Sequence, residues 1–197
     1  TNLIRMCSYF KRRPVELARI PNTRMTISPM DDDEYYPSQI ENNLYLGGVS
    51  YIKDDYFDNI DSIVSLIEPG QLQMFAKNYD IEKKNHLHIS ISDNMSADIL
   101  SHLNSIIEFI ERELLQGKTV YVHCAAGISR SSTCVIAYMM KRYNMTTTDA
   151  YAHVKQKRRI ISPNMHFMAS LYIFEKWLKS DKLIPANELA KVICTSG

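Results

Sequence analysis

One short stretch constrains this chain more than any other. Thr119-Val120-Tyr121-Val122, β-branched or aromatic throughout, gives way at once to small residues around Gly127 and then to the apolar run from Cys134 to Met140. A run that is apolar or β-branched at every position reads as a strand covered on both faces, as in the middle of a parallel sheet. A covered strand followed by a tight turn and an apolar helix calls for a layered fold in which helices cover a sheet. Other segments agree. Ile40 to Leu46 ending in Gly47-Gly48, the run Ile63-Val64-Ser65-Leu66, and Leu87, Ile89 and Ile91 alternating with His86, His88 and Ser90 read as strands. Between Asp98 and Gln116, Ile99, Leu103, Ile106, Ile107, Ile110 and Leu114 fall at three- and four-residue spacing, and Gly117 follows as a stop. Helices are expected again from Ser131 to Tyr143, Thr148 to Lys157 and Asn164 to Lys179, the last opened by Ser162 at the cap and Pro163 in the first turn. The expected class is α/β: a central, mostly parallel sheet flanked by helices.

The 197 residues amount to about 1.3 typical domains, which leaves room for one domain and its extensions. Residues 1–37 carry Pro14, Pro21, Pro29 and Pro37 and the acidic run Asp31-Asp32-Asp33-Glu34 without a sustained period, and read as an N-terminal arm. Residues 38–180 form the expected domain, and 181–197 a C-terminal tail or short helix. Lys plus Arg (23) nearly equals Asp plus Glu (22), so no global field attracts nucleic acid or an anionic membrane, and neither is an expected partner. An anion has to be bound locally. The longest unbroken apolar run, Cys134 to Met140, is far short of the roughly 20 residues that span a bilayer. Cys7, Cys124, Cys134 and Cys194 are too few and too scattered for a disulfide scaffold, which points to a reducing compartment, cytoplasmic with nuclear residence also open. Nothing in the sequence sets an oligomeric state.

The chemistry is concentrated in Val122-His123-Cys124-Ala125-Ala126-Gly127-Ile128-Ser129-Arg130-Ser131-Ser132. Five residues separate Cys124 from Arg130, small except for Ile128, so the backbone can curl with its N–H groups inward as a nest for a tetrahedral dianion. The helix expected next aims its free N–H groups and positive dipole end at the same place. Arg130 adds a planar fork able to hold two phosphoryl oxygens, which a Lys cannot match. The same surroundings favour a Cys124 thiolate, an in-line nucleophile for phosphorus.

Other readings of these residues fare worse. An isolated Cys124 would be read as a buried thiol, and Gly127 as an ordinary turn residue, but the neighbours reverse that preference. A protease-like pair of Cys124 and His123 fails because adjacent residues leaving a strand point to opposite faces, so His123 is expected to brace the loop from below. Cys124 and Cys134 lack the close pairing of zinc ribbons, so no metal site is expected, and the Gly-Lys-Ser/Thr of a nucleotide-binding loop is absent.

The run His-Cys-Ala-Ala-Gly-Ile-Ser-Arg-Ser resembles the signature loop of the protein tyrosine phosphatase superfamily, and its Gly-Ile-Ser-Arg-Ser form resembles the dual-specificity branch. The resemblance extends collinearly from Leu44-Tyr45-Leu46-Gly47 through Ala137–Met140, Val154–Arg158 and Ile161–Asn164 to Phe167. It implies a metal-free, cofactor-free phosphatase domain acting on phosphotyrosine and phosphoserine or phosphothreonine in proteins, by way of a phosphocysteine. Asp93, just past an expected strand, matches the family's general acid; on position alone it could be a turn residue. Ser131 matches the hydroxyl that supports the thiolate, a role compatible with its plainer one as a helix cap. Ala125, Ala126, Gly127, Ile128, Ser129 and Arg130 match the substrate-binding loop, and Asn164 a residue that steadies it, with a residue of the helix's first turn as the equally good plain account. Arg158 matches an Arg that meets a second substrate phosphate in some relatives, with a solvated basic face shared with Lys155, Lys157 and Arg159 as the plainer account. Cys134 reads as core.

Ala125 and Ala126 place no extra basic charge in the cup, which weakens an inositol-lipid reading. No long insertion precedes Asp93, so by family analogy the pocket is expected to be shallow. The arm's Lys11-Arg12-Arg13 followed by Val15-Glu16-Leu17 fits a loose MAP kinase docking pattern, against which stands an arm that is solvated or covers the domain. The competing functions are a phosphatase for a non-protein phosphate (lipid, glucan or RNA end) and a phosphoprotein-binding module with little turnover.

Overall fold

The computed structural model describes residues 36–49, 58–78 and 81–180. The basic and apolar docking pattern at 11–17, the body of the arm, the tail from 181, Cys7 and Cys194 lie outside the described residues. Five strands, β1 (Ser38–Glu41), β2 (Leu44–Gly48), β3 (Ser62–Leu66), β4 (Asn85–Ile89) and β5 (Val120–Cys124), form one sheet in the order β1-β2-β5-β3-β4. All pairs are parallel except β1 with β2. The single strand expected from Ile40 to Leu46 is therefore two. Asn42 and Asn43 turn the chain, and Asn43 takes the left-handed conformation (φ 63°) that Asn tolerates better than most side chains.

As expected, β5 sits in the middle and is buried along its whole length. Among the described residues five α-helices run around it: α1 (Pro69–Asn78), α2 (Leu103–Leu115), α3 (Arg130–Tyr143), α4 (Thr147–Lys157) and α5 (Met165–Lys179). Helix α3, whose N-cap position is Ser129 and not Ser131, is buried without interruption from Arg130 to Met140, the apolar run Cys134–Met140 included. It packs on α2, α4, α5 and the sheet. The main core lies on this side; the opposite face of the sheet carries a smaller cluster of Ile60, Ile63, Ile81 and Tyr121.

Three local expectations change. Helix α1 was not anticipated, because its Pro-Gly start and exposed Met74 leave no apolar stripe. The helix expected from Asp98 begins as a tight turn, Leu100–His102, with Asp98 Oδ1 accepting from the Ser101 N–H, and becomes α-helical at Leu103. Helix α5 is capped by Asn164, whose Oδ1 accepts from Phe167 N at 2.9 Å, and not by Ser162. The Ser162 N–H is committed instead to the Ile128 carbonyl at 2.9 Å. The four parallel strands share a direction, so their carboxyl ends form one rim, the edge at which open α/β sheets place their chemistry.

Candidate active site

Strand β5 delivers Cys124 as its last residue and α3 starts at Arg130, so residues 125–129 must turn the chain within a few ångströms. Gly127 makes this possible. Its φ is +70°, and a Cβ there would lie 2.4 Å from the Gly47 carbonyl carbon. A Cβ at Gly48 would likewise lie 2.9 Å from the Ala125 oxygen. The Gly47-Gly48 end of β2 is thus the surface against which the loop nests.

A cup whose N–H groups face inward must turn its carbonyls outward, and each buried carbonyl then needs a donor. Every carbonyl from Cys124 to Ser129 has one. The oxygen of Cys124 faces His123 Nδ1 at 3.3 Å. Val49 N donates to Ala125 O at 3.0 Å. Arg158 donates from Nη2 to Ala126 O (3.3 Å) and from Nε to Gly127 O (2.9 Å). Ser162 N and Ser132 Oγ donate to Ile128 O. The Thr133 N–H and the Ser132 and Thr133 hydroxyls meet Ser129 O. The protein's own donors thus satisfy the outer side of the cup.

Arg158 is therefore not where the sequence suggested. It is fully buried, and its remaining nitrogen, Nη1, donates to Tyr36 O at 2.9 Å and Ser38 Oγ at 3.2 Å. It is neither part of a solvated basic face nor a group turned toward a substrate's second phosphate. It clamps the loop from outside and ties it to β1. A guanidinium can afford this burial because its fork satisfies several carbonyls at once.

At the floor of the cup the Cys124 sulfur accepts from Ser131 Oγ at 3.2 Å and from Gly127 N at 3.3 Å. Burial alone would push this thiol up. The Ser131 hydroxyl and N–H, the Arg130 charge and the Gly127 N–H outweigh burial and hold it below its ordinary value. Arg130 is only 6% exposed; its Nη1 donates to Ile91 O at 3.1 Å, and its buried Nε has no hydrogen-bond partner among the described residues. A buried guanidinium N–H beside an open cup is matched by an oxyanion oxygen.

Asp93 follows β4 and reaches the same rim. Its Oδ1 accepts from Ser129 Oγ and from Asn164 Nδ2, both at 2.8 Å, while Oδ2 lies 3.9 Å from Arg130 Nε. Ser129 also accepts from Asn164 N at 3.2 Å. Asn164 thus caps α5 through one amide atom and holds Asp93 through the other.

The structure brings together Cys124, Ala125, Ala126, Gly127, Ile128, Ser129, Arg130, Ser131, Asp93 and Asn164, with His123 buried beneath. Sequence reasoning missed the outer donors Val49 N, Ser132 and Ser162. For Ser132 the signal was present, since a Ser or Thr early in a helix can return a hydrogen bond to the preceding carbonyls.

The family model of the dual specificity phosphatase catalytic domain matches residues 44–177. The chain is 39% identical over 145 residues to protein 123R of Invertebrate iridescent virus 6, which carries a tyrosine phosphatase name; the match covers 73% of this chain and 95% of that protein. It is 38% identical over 154 residues to human dual specificity protein phosphatase 9, covering 75% of this chain but only 38% of the relative. Among solved structures, the human tyrosine phosphatase-like serine/threonine/tyrosine-interacting protein superposes with a TM-score of 0.69 at 30% identity, covering 74% of this chain and 99% of that one.

Proposed function

The chain belongs to the dual specificity phosphatase family, and on that premise we propose that it hydrolyses phosphotyrosine and phosphoserine or phosphothreonine in proteins through a phosphocysteine intermediate. The observation that carries this reading is the Cys124 sulfur, held by Ser131 and Gly127 at the floor of a cup walled by Arg130. The inward N–H groups and the Arg130 fork bind the phosphoryl oxygens, and the sulfur lies on the side of phosphorus opposite the ester oxygen. The thiolate forms the S–P bond as the P–O bond breaks. The departing alkoxide or phenoxide takes its proton from Asp93. Ser129 and Asn164 occupy Oδ1, which leaves Oδ2 as the oxygen that carries the transferable proton. In the second step water attacks phosphorus, the Asp93 carboxylate accepts the water's proton, and the Ser131 hydroxyl stabilises the thiolate as it leaves.

Support for short side chains as well as phosphotyrosine comes from the cup's borders. Among the described residues, the bordering segments 90–99 and 162–164 carry no inserted helix or strand. The test is turnover on phosphotyrosine, phosphothreonine and phosphoserine peptides, a phosphoinositide and a 5′-phosphorylated RNA, with rapid quenching and mass analysis of the peptide bearing Cys124. Turnover of the phosphopeptides with phosphate on that peptide is expected. Preference for the lipid or RNA overturns the protein substrate, and an unmodified cysteine during turnover overturns the intermediate.

A further inference from the structure

Beneath the nucleophile runs a chain of polar side chains that the steps above leave unused. Ser65 Oγ on β3 lies 2.7 Å from His123 Nε2 on β5 and 2.8 Å from His86 Nε2 on β4. Ser65 pairs directly with His123, and His86 pairs with Ile63, two residues before Ser65 on the same face of the sheet. One hydroxyl therefore bridges imidazoles from the strands on both sides.

The direction of each bond can be assigned. The Cys124 carbonyl can only accept, so His123 Nδ1 carries a hydrogen. His123 is fully buried, and desolvation pulls it down to about 3, with the Cys124 carbonyl opposing and the charges of His86, His88 and Arg130 adding to the fall. It is neutral and has one N–H, so Nε2 is bare and takes the single hydroxyl proton of Ser65. Ser65 Oγ must then accept from His86 Nε2–H. The order is His86 to Ser65 to His123 to the Cys124 carbonyl.

We propose that Ser65 and His86 are positioning residues for the nucleophile: by donating to Nε2, Ser65, itself held by His86, reinforces the Nδ1–H form of His123 that the carbonyl requires, and that N–H keeps the Cys124 carbonyl turned away from the cup. In the opposite tautomer a bare Nδ1 faces the carbonyl oxygen. The carbonyl then loses its donor and its negative end is free to swing toward the sulfur, which disfavours the thiolate. Because His86 keeps its Nε2–H whether neutral or charged, the direction of the chain does not depend on the charge of His86. The sense of the proposal rests on the reading of Cys124 as a phosphatase nucleophile, but its test does not.

The experiment uses the full chain and four variants, Ser65→Ala, Ser65→Thr, His86→Phe and His86→Gln. Imidazole nitrogen NMR reads the His123 tautomer, and the rate of iodoacetamide alkylation against pH reads the Cys124 thiol. In Ser65→Ala the Nε2–H form of His123 is expected to appear, and alkylation of Cys124 at pH 6 to slow about three- to tenfold. The acid limb of kcat/KM should move up in parallel. Ser65→Thr keeps the hydroxyl, and His86→Gln keeps a donor; both should stay near wild type, with His86→Phe between them and Ser65→Ala. An unchanged tautomer and alkylation profile in folded Ser65→Ala overturns the proposal. Should that variant fail to fold, equality of His86→Phe and His86→Gln overturns it. A wild-type chain that turns over no phosphate ester, yet shows the tautomer and alkylation shifts, sinks the proposed function and leaves the positioning role standing.

Discussion

Two free thiols bracket the start of α3, and both are buried: Cys124 is 2% exposed and Cys134 is fully buried. Their fates are opposite. At Cys134, in the apolar interior of the helix, burial pushes the thiol up, and the nearby charge of Cys124 pushes it further. At Cys124 the same burial is outweighed by the Ser131 hydroxyl and N–H, the Arg130 charge and the Gly127 N–H. Depth in the protein therefore does not make a cysteine reactive or inert. What separates the two is whether backbone and side-chain donors point at the sulfur, and at Cys124 they do so because every carbonyl of the loop is held outward.

The widest break in this contrast comes from removing one sulfur at a time. Cys124→Ser should lower kcat/KM on an aryl phosphate by about 10⁴-fold or more, since a hydroxyl in the same cup is a far weaker nucleophile. The cup itself survives, so the variant should still bind vanadate or phosphate in isothermal titration. Residual activity within a factor of ten would mean that another group attacks phosphorus.

Next in size is Arg130→Lys. The charge remains, but the planar fork and its bond to the Ile91 carbonyl are lost. A fall of about 10²- to 10³-fold in kcat/KM is expected, with weaker oxyanion binding. A near-normal rate would show that the positive charge alone serves Cys124.

Ser131→Ala tests the donor that acts most strongly on the sulfur. Its loss should move the acid limb of kcat/KM to higher pH and slow phosphocysteine hydrolysis about tenfold, seen as a burst of product followed by a slower steady rate. The stability follows the same sign. Folded Cys124 ionises below its ordinary value of 9.0, so between the two values the unfolded chain binds more protons and stability rises with pH. That contribution is complete above the ordinary value and is lost as pH falls through the folded one. Ser131→Ala raises the folded value and narrows the window, so urea unfolding from pH 6 to 9 should show a smaller gain with pH. An equal gain in both proteins would separate Ser131 from the thiolate.

The sequence showed the inner side of the cup and hid the outer side, for a physical reason. Cys124, Gly127, Arg130 and Ser131 lie within eight consecutive residues, and their chemistry can be read from type and spacing. Asp93 could be placed at the rim because a strand precedes it, but its bonds to Ser129 and Asn164 join three distant segments. Arg158 was misread because a basic residue within Lys155-Gln156-Lys157-Arg158-Arg159 looks solvated when the fold is not known. Nothing local announces that it lies buried against Ala126, Gly127 and Tyr36. Ser65 and His86 were legible only as strand residues, since their meeting depends on the order β5-β3-β4.

The smallest effect on chemistry is expected at Cys134, and there the contrast is sharpest. Cys134→Ala removes one sulfur from a packed apolar environment and touches no donor of the cup. It should cost about 1 kcal/mol in unfolding free energy, as a small cavity does, and leave kcat/KM within about twofold of wild type. Cys134→Ser keeps the volume but buries a hydroxyl, which costs about 1–3 kcal/mol unless it finds an acceptor. In α3 the carbonyl of residue 130, four positions back, is the nearest candidate, so the loss should fall toward the lower end of that range. Thermal unfolding and aryl phosphate turnover on the same samples separate the two quantities. A Cys134→Ala protein of unchanged stability with tenfold lower turnover would place the second sulfur in the chemistry, and the division between the two thiols would fail.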